Sequence, residues 1–191
     1  MRIEIVAEHS IVPELLTPQG LVLDVGCRSF TFSKEMARRG MIVRALDPDP
    51  TIVDPHLKDV IYHRLALDAS CRKARFVMAT DPQARRIAAH GEVEVETVDI
   101  STVSDAHHVS CWEVVKLDCE GSEMGILETW PGPIAKQITV EFHEHVAPQP
   151  LERYERIISH LDQWYTCVQH EQSKRHCIGT LNWWDSLWVL K

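Results

Sequence analysis

Residues 21–50 read LVLDVGCRSFTFSKEMARRGMIVRALDPDP, and this stretch decides the fold. LVLDV (21–25) is an apolar run ending at an acid and a glycine, the pattern of a strand buried on both faces. Gly26 supplies the backbone freedom for a tight turn after it. FSKEMARRG (32–40) reads as a short helix closed by Gly40, and MIVRAL (41–46) as a second buried strand, stopped at Asp47 by Pro48 and Pro50. Together they form a strand, helix, strand unit whose crossover is right-handed and whose strands are parallel.

Working outward, VIYH (60–63) is a third strand, and residues 66–108 are less regular. There RFVMAT (75–80) and VEVETVDI (93–100) read as strands around a polar, partly helical DPQARRIAAHG (81–91), an insertion or lid-like hairpin region. Regularity returns with WEVVKLD (112–118), a helix SEMGILETW (122–130), a strand QITVEF (137–142) and a helix from Leu151. Leu151, Tyr154, Ile157, Ile158 and Leu161 share one face of that helix by their spacing. WYTCVQHE (164–171) and LWVL (187–190), the latter after a turn-rich NWWDS, read as a terminal antiparallel pair. The expected fold is α/β: a doubly wound, mostly parallel sheet with a C-terminal antiparallel strand pair.

Composition bounds the rest. The 191 residues suit a single domain spanning 1–191, and 45% hydrophobic with 25% charged residues is ordinary for a globular protein. Twenty Lys and Arg stand against 28 Asp and Glu, a formal charge of −8 that opposes nucleic acid as a partner. RKAR (72–75) and Arg85 with Arg86 read as solvated faces. No apolar run is long enough for a membrane span, and the charged start MRIEIVAEH does not resemble a secretion signal. The six cysteines form no Cys-x-x-Cys pair and read as free thiols in a reducing cytoplasm.

Ligands of such sheets bind outside the carboxyl ends of the strands, so strand-end residues carry the functional signal. Asp24 and Gly26 close one strand, Asp47 a second, Asp118 with Glu120 and Gly121 another, and Glu141 with His143 another. Parallel strand interiors are dry, and an acid emerging from each end is most simply a ligand contact. Asp47, 21 residues beyond Gly26, stands where an acid accepts hydrogen bonds from ribose hydroxyls. Asp24 can equally bind amides of its own loop, Asp47 can form a turn, and Asp68 can approach an adenine edge or cap a turn.

These segments, with RLALDAS (64–70), VVKLDCEGSEMGIL (114–127) and QITVEFHEH (137–145), resemble the successive blocks of the FkbM-type methyltransferases. The most specific is VVKLDCEGSEMGIL, similar to that family's Lys-Ile-Asp-x-Glu-Gly-x-Glu segment. The resemblance covers residues 21–145 and implies a class I Rossmann-like fold and methyl transfer from S-adenosylmethionine to a hydroxyl of a small molecule such as a sugar or polyketide. By position it places Asp24 and Gly26, with Cys27 and Arg28 of the same turn, along the cofactor's methionine and ribose side. Asp47 falls on the ribose hydroxyls and Asp68 on the adenine. Lys116, Asp118, Glu120, Gly121 and Glu123 then form a corner facing the transferred methyl, with Glu141 and His143 opposite. His143 is the expected base, because imidazole titrates nearest neutrality, and Asp118 is the alternative.

The chain departs from the family at its first block, usually Asp-x-Gly-Ala-Asn-x-Gly. Arg28 replaces the asparagine and Phe30 the second glycine, which puts a Cβ and a ring where the backbone approaches the cofactor unless the loop is re-routed. Arg28 can pair with the cofactor carboxylate or be a surface residue. The competing reading is a non-catalytic binding or scaffold protein on a degenerate methyltransferase fold. A nicotinamide dehydrogenase lacks its Gly-x-Gly-x-x-Gly here. The acids and histidines 118–145 offer ligands for a divalent ion, but their spacing has no tetrahedral zinc signature, and no metal is expected. Trp183 and Trp184 are core residues, an acceptor wall or a dimer contact, and a homo-oligomer is left open.

Overall fold

The structure, a computed structural model, describes residues 1–81, 84–143, 150–173 and 183–191, with the backbone alone for 170–173, 183 and 184. Seven strands form the central sheet: β3 (Leu21–Val25), β4 (Ile42–Leu46), β5 (Val60–His63), β9 (Val114–Leu117), β10 (Gln137–Phe142), β11 (Tyr165–Ser173) and β12 (Trp183–Leu190). Their order across the sheet is β11-β12-β10-β9-β3-β4-β5. β3, β4, β5, β9 and β10 are mutually parallel, and β12 runs antiparallel between β10 and β11. The order reverses between β3 and β9, and a cleft therefore opens at their carboxyl ends.

The parallel strands alternate between two apolar layers. Leu23, Val25, Val115, Leu117, Ile138 and Val140 pack on α2 (Ile100–Ala106), α3 (Glu123–Glu128) and α4 (Leu151–Leu161). Val22, Val43, Ala45 and Val114 pack on α1 (Thr31–Arg38), together with β1 (Glu4–Val6) and β2 (His9–Ile11). Burial of strands on both faces is why they read as continuous apolar runs.

Several expectations need correction. The N-terminal hairpin β1–β2 has no signature in the sequence, since three-residue strands are too short to display a period of two. Residues 99–106 are not a strand end: Asp99 accepts the Thr102 amide at 2.7 Å and caps α2. Residues 72–76, read as a basic run and half a strand, are all of β7 (Arg72–Phe76), with Arg72, Lys73 and Arg75 in water and Ala74 and Phe76 buried. β7 pairs antiparallel with β8 (Val93–Val98), and β6 (Ala66–Leu67) completes a separate three-stranded sheet, so a hairpin does occupy this region. The described part of 81–91 holds one residue of 3-10 helix, Ala84, and a bridge from Ile87 to Phe76. Of the face assigned to α4, Ile157 and Leu161 are buried, whereas Leu151 and Ile158 are exposed. Trp183 and Trp184 lie in β12 and not in a turn, and His145, His176 and Cys177 fall outside the described residues.

Candidate active site

The register of the sheet assembles the centre of the cleft. Asp24 on β3 is paired with Lys116 on β9, and side chains at paired positions of neighbouring strands project from the same face. The Lys116 ammonium, buried, lies 3.0 Å from Asp24 Oδ1 and 3.2 Å from Asp118 Oδ2, and donates to the carbonyls of Gly26 at 2.8 Å and Val25 at 3.1 Å. Burial opposes its charge, but Asp24 and Asp118 outweigh burial and hold it well above the usual lysine range. Asp24 is fully buried and accepts Ser33 Oγ of α1 at 2.6 Å. Its first role is thus to bind strand, helix and lysine together.

Gly26 turns the chain at φ +73°, and a Cβ built on it would lie 1.6 Å from the carbonyl oxygen of Asp118. The two crossing loops can touch only because that side chain is absent. Phe30, where the family has glycine, keeps a left-handed backbone at φ 56°. Its ring is buried in the layer beneath, edge-on to Tyr62 with centroids 5.4 Å apart, and is not part of the cavity wall. The glycine-type turn is therefore retained, with the ring directed into the core instead of into the cofactor's space.

Asp47 ends β4 and lines the cleft. Its Oδ2 accepts the Arg28 amide at 3.1 Å and its Oδ1 the Asp49 amide at 3.0 Å. Burial pushes its carboxyl up, while these two amides oppose the shift. A carboxylate has about four acceptor positions, so two remain for hydroxyls. Asp49 holds Arg85 at 2.5 Å, which fastens the segment after β7 across the cavity rim. Cys27 lines the cavity as a buried thiol, raised far above its ordinary value first by burial and then by Asp24 and Asp47. Arg28 stands exposed on the rim. Asp68 does not join this group: it accepts its neighbour Ala69's amide at 2.8 Å and pairs with Arg72 at 2.7 Å, just beyond the lining residues 65–67.

Opposite Asp47, carboxylates surround His143. Its Nδ1 lies 2.9 Å from Glu123 Oε1, and its Nε2 lies 3.6 Å from Asp118, 3.6 Å from Glu120 and 3.9 Å from Glu141. Burial disfavours its charge, but Glu123 first, then Glu120 and Asp118, overcome that and raise it to about 10. A proton held this firmly favours the imidazolium, which draws the four surrounding acids together. Glu123 also accepts the amides of Cys119 and Gly121, which fixes the turn at the end of β9. Burial lifts Glu141 to about 8, reinforced by Asp118. Burial likewise lifts Glu120 to about 7, and its Oε2 is a buried acceptor without a hydrogen-bond partner among the described residues. Asp118 goes the other way despite burial, held ionised chiefly by the Lys116 ammonium.

His9, from β2, was not singled out by the sequence, because nothing in AEHSI (7–11) marks it. It lines the same cavity, with Nε2 3.5 Å from Asp118 Oδ2. Donor atoms of His9, Asp118 and Glu141 lie within 4.8 Å of one another, as do those of Asp118, Glu120 and His143. The cavity measures about 1240 Å³.

This strand order, with its antiparallel last strand and a cleft at the switch point, defines a class I Rossmann-like methyltransferase fold. A sequence profile described as "Methyltransferase FkbM domain" matches residues 45–169, more than half of the chain, and the chain belongs to that family. The matched region starts beyond the altered turn at 26–30. No curated protein sequence matches the chain. Among solved structures it is similar to the magnesium protoporphyrin IX methyltransferase of Synechocystis with bound S-adenosylmethionine, at TM-score 0.51 and 11% identity over 91% of this chain and 71% of that one. It is also similar to an rRNA methylase of Streptococcus thermophilus, at TM-score 0.50 and 8% identity over 93% and 90%. A Streptococcus thermophilus protein titled a hemolysin gives TM-score 0.51 and 10% identity over 91% of this chain, which spans 60% of its length.

Proposed function

We propose that the chain is an S-adenosylmethionine-dependent methyltransferase that methylates a hydroxyl of a small molecule. The observation that carries this reading is the turn at 26–30, which keeps its left-handed backbone and open floor although Phe30 has replaced glycine. Gly26, Cys27 and Arg28 would border the methionyl part, and the two spare acceptor positions of Asp47 suit ribose hydroxyls. When bound, S-adenosylmethionine supplies an electrophilic methyl group. The chain's own part is to hold donor and acceptor in line and exclude water. Lys116 fixes the glycine turn against the end of β9, and His143 fixes the acids on the acceptor side.

A cavity of about 1240 Å³ exceeds the space one drug-sized ligand needs, which leaves room for a small acceptor beside the cofactor. Asp118, Glu120, Glu141 and Asp185 line that side, and with a chain charge of −8 they disfavour a phosphate-rich acceptor such as RNA. No described helix is long and apolar enough to cross a membrane.

The test is calorimetric titration of the purified protein with S-adenosylmethionine and S-adenosylhomocysteine, with a nicotinamide dinucleotide as control, followed by a screen of hydroxylated metabolites. Binding of both sulfur ligands and not of the dinucleotide is expected. A protein that melts cooperatively yet binds neither would be a scaffold on this fold, and the proposal would fall.

A further inference from the structure

Two imidazoles face Asp118, and their surroundings differ. That of His143 is enclosed by carboxylates. That of His9 meets the titratable groups Asp118 from the end of β9 and Glu141 from β10, with Lys116 behind Asp118, while Phe32 of α1 lies edge-on to it at 5.7 Å. His9 is 5% exposed and reaches the cavity from a hairpin that precedes the family-matched residues. Donor atoms of His9, Asp118 and Glu141 all lie within 4.8 Å of one another, so one point lies within about 2.8 Å of all three, the length of a good O–H···O hydrogen bond.

The turn that delivers His9 is itself unusual. Ala7 and Glu8, its two central residues, stand at φ 46° and 74°, where asparagine and glycine are the favoured residues. Strain of this kind persists where surrounding structure enforces it, and it recurs at active sites. Here it sets Ile5, Ala7 and Glu8 into the cavity wall with His9 directly behind.

Resting on the methyltransferase reading, we infer that the His9–Asp118–Glu141 triangle is the acceptor-oxygen subsite and that His9 is the catalytic base. The acceptor hydroxyl sits at the centre of the triangle. As the bond from its oxygen to the methyl carbon forms, the carbon–sulfur bond breaks, and that electron pair stays on sulfur as the neutral thioether. The hydroxyl proton passes to His9, whose imidazolium is stabilised by ionised Asp118 and later returns the proton to water. The protonated carboxyl of Glu141 orients the acceptor. Ile5, exposed at the mouth, would select the apolar part of the acceptor next to its hydroxyl.

The test uses glycerol at high concentration as a hydroxyl probe small enough to reach the triangle whatever the native acceptor is, with methyl ether formation followed by mass spectrometry. Wild type should form the ether with a rate that climbs with pH. His9→Gln and His9→Asn, which keep a polar group beside Asp118 but cannot act as a base, should lose about 100-fold in rate and the pH-dependent limb, with S-adenosylmethionine affinity unchanged. An unchanged rate and profile in two folded His9 variants overturns the assignment. So does a wild type that binds S-adenosylmethionine but forms no ether. A rate abolished by EDTA and restored by Mn²⁺ would make the triangle a metal site and also overturn it. Failure to bind S-adenosylmethionine at all would instead refute the methyltransferase reading on which this one rests.

Discussion

Replacing Gly26 by alanine tests how the cleft is built. The new Cβ would stand 1.6 Å from the Asp118 carbonyl oxygen, backbone against backbone, so no side-chain rotation relieves it. One of the two loops must move. Overpacking of this kind costs about 1–3 kcal/mol. Holding a non-glycine residue at φ +73° adds about 1–2 kcal/mol. The sum is about 2–5 kcal/mol. For a chain of this size that lowers the melting temperature by roughly 4–20 °C, at about 2–4 °C per kcal/mol. Gly40→Ala is the matched control, because Gly40 stands at φ +80° and a Cβ there would meet no atom within 4 Å. It should show the backbone cost alone, roughly 2–8 °C. Both variants can be compared with wild type by circular dichroism melting, and by calorimetry with S-adenosylhomocysteine. Gly26→Ala should also lose ligand affinity, and Gly40→Ala should keep it. If Gly26→Ala melted no lower than Gly40→Ala, the close crossing of the two loops would be wrong.

Phe30→Ala should destabilise by about 3–5 kcal/mol, the cost of emptying a buried aromatic site, yet leave S-adenosylmethionine affinity within a few-fold, because the ring faces Tyr62 and not the cavity. A large affinity loss at constant fold would refute that orientation. Asp47→Ala removes a charged acceptor of two amides and should weaken S-adenosylmethionine binding at least tenfold, since a hydrogen bond to a charged group is worth about 1.5–3 kcal/mol. Unchanged affinity by calorimetry would free Asp47 of any ligand role.

Stability should fall as pH rises from about 5 to 10. Glu120, Glu141 and His143, raised to about 7, 8 and 10, each release their proton at higher pH in the folded protein than in the unfolded chain. The native state therefore binds more protons across that window, and the slope is negative. Asp118 and Glu123 are shifted down and act oppositely, contributing stability that is lost only as pH falls below the ordinary carboxylate range. Melting temperatures that climb between pH 6 and 9, in a series of constant ionic strength, would contradict this account of the acid cluster.

The sequence by itself determined the sheet. β3, β4, β5 and β10 occupy the stretches read as strands, because buried parallel strands write continuous apolar runs and their ends are punctuated by acids, glycine and proline. It also brought Asp24, Asp47, Lys116, Asp118, Glu141 and His143 to one cleft, since all lie on or just beyond strands of a single parallel sheet. Its residues left Asp68 open and the family resemblance set it by the adenine; in the structure Asp68 accepts the Ala69 amide and holds Arg72, just beyond the cavity lining. What only the tertiary structure decided was the charge and direction of each group. Asp118, Glu120 and Glu123, from one segment 20–25 residues earlier in the chain, favour a proton on His143, and only their distances in the fold show it. Phe30 looked like an obstruction until its ring was seen to pack beneath the turn. His9 came from a hairpin too short for any periodic pattern, more than a hundred residues from Asp118. Periodicity records which face of an element meets the core. Ionisation and reach depend on groups distant in sequence, and only the folded chain brings those together.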